Sequence, residues 1–333
     1  MSTSVLYTRC PVPTASGIAI DTGLLQQRLS RAGVDAGPLQ STAYPEAHFD
    51  HKAPSLFREG GNVPALWARS NGAPTKLLAV TWIPEFQMIL ARKDSGFRTA
   101  DDLAGRRLIL PSHGGERVDF FRAMALRAFD SVLRSTGRTL GDATLVPYPS
   151  RLPQVSDVGA DGFYASSLEA LRRGDGDFVY VKGAPGADVV RRNEFTAVVD
   201  FSEFGSPAFH VNNGTPRTLT VSENLLEANR DVVVQYVAAL VHAAQWASDN
   251  EGGTAAIVAR ETGSSLDGVR LGYGKELHRN LEPNLDPTLL NHLENQQTWL
   301  LDQGLLTRHF DIDTWIDTTI LRDALDTSVR TKR

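Results

Sequence analysis

Short β-rich runs alternate with helical patterns along this chain, and that rhythm constrains the fold more than any other feature of the sequence: it points to α/β units around a mainly parallel sheet. Residues 77–82, 87–92, 107–110, 177–181 and 197–201 read as the clearest strands. Phe121, Met124, Phe129, Val132 and Leu133 recur near helical spacing and predict a helix over 119–134 with one buried stripe. Val233, Val237, Leu240 and Ala244 predict another over 231–248. The Pro/Gly clusters at 146–153 and 183–186 read as loops rather than long linkers, and neither an internal repeat nor a low-complexity segment is visible.

The 333 residues suffice for two cores of ordinary size. With 41% apolar, 22% charged and 8% aromatic residues, the composition is that of a folded globular chain, which excludes disordered, collagen-like and coiled-coil readings. The net charge is −5 and no block of Lys or Arg offers a stripe for phosphates, so nucleic acid is not expected as a partner. A single cysteine, Cys10, excludes an internal disulfide and any zinc site built on several thiolates. The start MSTSVLYTRC lacks the pattern of a secretory signal, and no later stretch is apolar enough to span a bilayer. The expectation is a cytoplasmic protein without membrane contact.

Three phrases occur in order: TADDLAGRRLILPS over 99–112, SLEALRRGDGDFVYV over 167–181 and SENLLEANRDVVVQYVAAL over 222–240. Together they resemble the type II periplasmic-binding-protein fold. The resemblance implies two α/β lobes with a ligand cleft between them. It places lobe 1 at 1–105 plus 215–333 and lobe 2 at 106–214.

Several residues carry candidate chemistry. Cys10 lies in YTRCPVP after an apolar start that reads as the first strand, and Pro11 and Pro13 push their predecessors toward extended geometry, which fixes the direction of the thiol. Strand ends of α/β lobes are where function collects, whereas the other reading of a lone cysteine is a small buried hydrophobe. His48 and Arg58 lie in AHFDHKAPSLFREGGNVP, read as a binding loop leading into a helix. A guanidinium matches two anionic oxygens, and Gly60 with Gly61 lets backbone N–H groups approach an anion; a surface Arg followed by a turn is the alternative. His48 suits proton exchange with Cys10. His48 and His51 are three residues apart, but without a third ligand no metal is expected. Lys182 follows a strand and suits a substrate anion or a solvated strand end. Ser112, His113, Gly114 and Gly115 are read as the start of a helix, a second place for an anion. The other histidines have no readable partner.

The Tyr-Thr-x-Cys-Pro-Val-Pro start at Tyr7, then His48-Phe49, then Arg58-x-Gly60-Gly61 with Pro64, resembles the hydroxybiphenyl-sulfinate desulfinases. QWASDN at 245–250 and HLENQQTWLLDQGLL at 292–306 extend the likeness to the full length of the chain. The resemblance implies that Cys10, His48, Arg58 and Gly61 form a catalytic site. Thr8 stands where that family has a serine and keeps a hydroxyl. Phe49, Gly60, Ser112 and Lys182 join them as expected substrate contacts. Two departures concern the substrate. The segment 112–147 is short where the family is long, and VYVKGAP at 179–185 replaces tryptophans with Lys182 and Gly183, which suits a smaller or more polar sulfinate.

The resemblance thus implies a cofactor-independent hydrolase that cleaves the carbon–sulfur bond of an organic sulfinate, aromatic or heteroaromatic, and releases sulfite. Cys10 either attacks sulfur as a thiolate or protonates the carbon from which sulfur departs. The alternatives are a non-catalytic cytoplasmic binder of a small anion and an enzyme like the thiamin-pyrimidine synthases, whose cysteine-rich motif is absent. The oligomeric state is left open, a monomer among the options.

Overall fold

A computed structural model of the chain describes residues 3–43, 47–114, 118–150 and 162–330. The architecture is mixed α/β and divides into two compact units, Met1–Ile83 with Asn213–Glu261 and Glu276–Arg333, and Pro84–Asn212 with Thr262–Lys275.

The first unit opens with β1 (Thr3–Tyr7), α1 (Ala15–Asp21), α2 (Leu24–Arg31), β2 (Val34–Pro38), the single turn α3 (Ala47–Asp50), β3 (Leu56–Gly61), α4 (Asn62–Ser70) and β4 (Thr75–Thr81). The second unit follows with β5 (Gln87–Arg92), β6 (Arg107–Ser112), α5 (Phe120–Ser135), β7 (Thr144–Pro149), α6 (Ala165–Arg173), β8 (Val179–Lys182), α7 (Gly183–Arg191) and β9 (Phe195–Asp200). The chain returns through β10 (Arg217–Ser222), α8 (Glu223–Ala228), α9 (Arg230–Asp249) and α10 (Glu251–Thr262), lends α11 (Leu266–Tyr273) to the second unit, and ends with α12 (Pro287–Asp302), α13 (Ile312–Trp315) and α14 (Thr318–Arg330).

The first unit is built on a five-stranded sheet in the order β2-β1-β3-β10-β4. β1 runs parallel to β2 and β3, whereas β10 is antiparallel to both β3 and β4. In the second unit β5 lies between β8 and β9, antiparallel to each, and β6 pairs in parallel with β7. The expected mainly parallel sheet is therefore corrected to a mixed one. The antiparallel members are β5 and β10, the first strand after each crossing between units, which enter their sheets without a βα crossover to set a parallel direction.

Cores form where the sequence places its apolar stripes. Val233, Val237 and Leu240 of α9 are fully buried, and Ala244 is buried at the end of the same stripe. In α5 Phe121, Met124, Phe129, Val132 and Leu133 are all buried. Phe57 of β3 stacks on Tyr236 of α9 with ring centroids 3.6 Å apart. Among the described residues no helix is long and apolar enough to cross a membrane.

Five further expectations are corrected. The first boundary falls at residues 83/84 rather than 105/106, because β5 is hydrogen-bonded into the sheet of the second unit. The chain returns at 212/213 rather than 214/215, and residues 262–275 belong to the second unit, where Asp267 pairs with Arg191 of α7 at 2.6 Å. Residues 183–186 are not a loop but the first turn of α7, where Pro185 is tolerated because early helical N–H groups lack intrahelical partners. Within 146–153, residues up to Pro149 form β7, which as an edge strand accommodates its prolines; residues 151–153 lie outside the described residues. Ser112 ends β6 rather than starting a helix, and α5 begins only at Phe120, capped by Asp119. Gly115 lies outside the described residues.

Candidate active site

The expected binding loop around Arg58 is in fact β3, a central strand of the first unit's sheet. Alternation along a strand sends Arg58 and Gly60 to one face and Glu59 to the other. At the Gly60 position a Cβ would stand 2.6 Å from the Cys10 Sγ and 3.7 Å from the Arg58 Nη1. The glycine is what lets the thiol lie beside the guanidinium.

Cys10 reaches this place through a braced approach. The Thr8 amide donates to the Phe57 carbonyl at 3.1 Å, which extends the pairing of β1 with β3 almost to the cysteine. Gln40 grips Arg9 on both sides, accepting from its amide at 3.3 Å and donating to its carbonyl at 2.9 Å. Beyond the cysteine, Glu59 accepts the Ala15 and Ser16 amides at 3.2 and 2.7 Å and fixes the start of α1.

The expected residues of the first unit converge. The Cys10 Sγ lies 3.9 Å from the His48 Nε2 and 3.9 Å from the Thr8 Oγ1. The Arg58 Nε donates to the His48 carbonyl at 3.2 Å and its Nη1 to the Gly61 carbonyl at 2.8 Å. Phe49 packs edge-on against the His48 ring with centroids 4.8 Å apart. His48 lies in α3, whereas His51 follows it in a left-handed conformation with φ 54° and is buried. Among the described residues no group of three or more His, Cys, Asp or Glu side chains is arranged to hold a metal ion.

Burial dominates the electrostatics. It raises the pKa of the Cys10 thiol, against the lowering pull of Arg58 and of the Thr8 hydroxyl. Burial, with the Arg58 charge second, brings His48 down to about 3, so its imidazole is neutral at neutral pH. His51 is held well below its ordinary value by burial, then by Arg58 and His48. The pair at rest is therefore a thiol beside a neutral imidazole. Arg58 is only 2% exposed, and no carboxylate among the described residues pairs with it.

The remaining expected contacts belong to the second unit. Ser112 ends β6, and its carbonyl accepts the Ser150 amide at 2.8 Å. Lys182 is buried at the end of β8 with its ammonium 2.5 Å from Glu85, so its charge is already matched. It does not call for a second anionic group on a ligand, nor is it a solvated strand end. Sequence reasoning missed Asn213, which precedes β10 and whose amide lies over Gly61; no local signal could have found it, because its position depends on the register of β10 against β3.

The fold and site define a protein of periplasmic-binding-protein-like architecture whose first unit carries a buried cysteine–histidine–arginine cluster. No protein-family model matches the chain. It is similar to the 2'-hydroxybiphenyl-2-sulfinate desulfinases of Rhodococcus erythropolis and Rhodococcus qingshengii, each 28% identical over 97% of this chain and 94% of the relative. The full-length resemblance seen in the sequence is thereby borne out. Among solved structures, a cysteine-to-serine mutant of DszB in complex with biphenyl-2-sulfinic acid superposes with a TM-score of 0.78, at 24% identity over 98% of this chain and all of that one. A sulfonate-binding protein, SsuA from Methylobacillus flagellatus, superposes at 0.73 with 14% identity, covering 98% of this chain and 94% of that one. The expected binding-protein-like fold holds.

Proposed function

We propose that this protein is a cofactor-independent hydrolase that cleaves the carbon–sulfur bond of an aromatic or heteroaromatic sulfinate and releases sulfite. The observation that carries the reading is the Arg58 guanidinium, buried beside a thiol without a carboxylate partner among the described residues. An unmatched buried charge is costly, and an anion that docks against it supplies the missing partner. The relatives named for a sulfinate substrate identify the class of anion.

In this reading Arg58 and the Gly61 amide hold the sulfinate oxygens. The resting thiol and neutral imidazole favour Cys10 as proton donor over Cys10 as nucleophile. The ring carbon bearing sulfur takes the Cys10 proton, and the S–H electrons remain on the cysteine as thiolate. The C–S bond then breaks with its electron pair returning to the ring, and sulfur dioxide departs. Water adds to it to give hydrogen sulfite, and the proton released returns to the thiolate by way of His48. Sulfinate and water thus become arene and hydrogen sulfite.

A second reading is a binder of a small sulfur oxyanion without turnover, which the likeness to sulfonate-binding proteins favours. Sulfite detection across a panel of aryl, heteroaryl and aliphatic sulfinates separates the two. Release by the wild type on an aryl or heteroaryl member, abolished in Cys10→Ser, supports the hydrolase. Tight binding without sulfite from any member overturns it.

A further inference from the structure

Residue 61 is a glycine for a second reason besides giving an anion access to its amide. A Cβ built there would stand 2.4 Å from both the Nδ2 and the Oδ1 of Asn213, a side chain that is only 8% exposed. That same residue caps α4. The Gly61 position at the helix N-terminus offers no side-chain cap, and the first N–H groups of a helix need partners from outside it. Asn213 supplies two of them. Its carbonyl accepts the Asn62 amide at 2.7 Å, and its Oδ1 accepts the Val63 amide at 2.8 Å. Asn62, fully buried, completes the clamp by donating from its Nδ2 to the Pro216 carbonyl at 2.8 Å.

The consequence falls on one peptide plane. The Gly61 carbonyl is held by the Arg58 Nη1 at 2.8 Å, while the Asn62 amide at the other end of the same peptide is held by Asn213. A peptide gripped at both ends cannot rotate. The Gly61–Asn62 peptide, and with it the carbonyl on which the guanidinium rests, is thus set by the main-chain carbonyl of Asn213, which its own side chain anchors through the Val63 amide.

We propose that Asn213 is a positioning residue that, through the Gly61–Asn62 peptide, aims the Arg58 guanidinium at the anion, and that its side chain makes glycine obligatory at position 61. The proposal rests on the sulfinate reading above and deepens it. Asn213 acts through the turn and does not itself touch the reacting atoms.

The test is a double-mutant cycle of Asn213→Ala and Gly61→Ala, read as kcat and KM for biphenyl-2-sulfinate together with the thermal midpoint of each variant. Asn213→Ala removes the anchor to the Val63 amide and raises KM about tenfold, the scale of one hydrogen bond between Arg58 and the anion put out of line, with kcat within about twofold of the wild type. Gly61→Ala alone costs about a hundredfold in kcat/KM, and that cost shrinks below about tenfold once Asn213 is alanine, because the obstructing amide is gone. A lower thermal midpoint with unchanged KM, or strictly additive losses, would overturn the proposal and leave Asn213 a helix cap only. Should Asn213→Ala not accumulate as folded protein, Asn213→Ser carries the same test: a raised KM supports the proposal and an unchanged one overturns it. Calorimetric binding of biphenyl-2-sulfinate to the same variants keeps the two claims apart. If the wild type binds a sulfinate but turns over no member of the panel, the same pattern in Kd upholds Asn213 while the hydrolase reading falls; absence of both binding and turnover across the whole panel overturns both.

Discussion

At the scale of single residues, the proposed hydrolysis turns on the protonation of Cys10. Burial raises the thiol pKa and lowers that of His48 to about 3, so neither group changes charge between pH 5 and the ordinary thiol range. As a proton donor, Cys10 is fully competent below its raised pKa and loses competence only above it. The expected profile of kcat/KM is flat from about pH 5.5 to about 8.5 and falls beyond, since an ordinary thiol titrates near 8.5. A rate that climbs through this range would instead mark the thiolate as the reactive form. Cys10, His48 and Arg58 were legible in the sequence because short motifs around rare side chains carry them. Asn213 was not, because 150 residues separate it from the amide of Val63 that it caps.

At the scale of elements, local signals were legible where propensity and burial agree and misleading where tertiary context overrides them. The stripes of α5 and α9 appear where their periodicity puts them. Gly183 and Pro185 instead read as punctuation, yet Gly183 packs under the Tyr273 ring, whose hydroxyl would stand 2.9 Å from a Cβ there, and Pro185 lies within the first helical turn. The periodicity over 119–134 places α5 correctly, but Ser112, itself a plausible helix cap, ends a strand, and Asp119 does the capping. Its Oδ1 accepts the Arg122 amide and its Oδ2 the His113 amide, each at 3.0 Å. Asp119→Ala is therefore expected to cost about 1 kcal/mol, seen as a lower midpoint in urea denaturation. An unmoved midpoint would remove the cap from the account of this helix.

For the whole molecule, the site costs stability that should show as acid sensitivity. His48 and His51 are held neutral when folded, with pKa values depressed below the ordinary 6.5. Once unfolded, both bind protons readily below that pH, so their contribution is fully present above about 6.5 and is lost as the pH falls toward about 3. Urea denaturation at pH 7 and pH 5 should show a clear loss at the lower pH, and His48→Gln should reduce it. Equal pH dependence in wild type and variant would mean that His48 is not held as described.

The central claim is that one buried cluster both captures a sulfinate and cleaves it. Parallel measurement of sulfite release and of sulfinate affinity in wild type, Cys10→Ser and Arg58→Ala tests it most directly. The account predicts release by the wild type alone, affinity retained in Cys10→Ser, and affinity lost in Arg58→Ala, where the anion's partner is gone. Sulfite still released by Cys10→Ser at the wild-type rate, or undiminished affinity in Arg58→Ala, would contradict it.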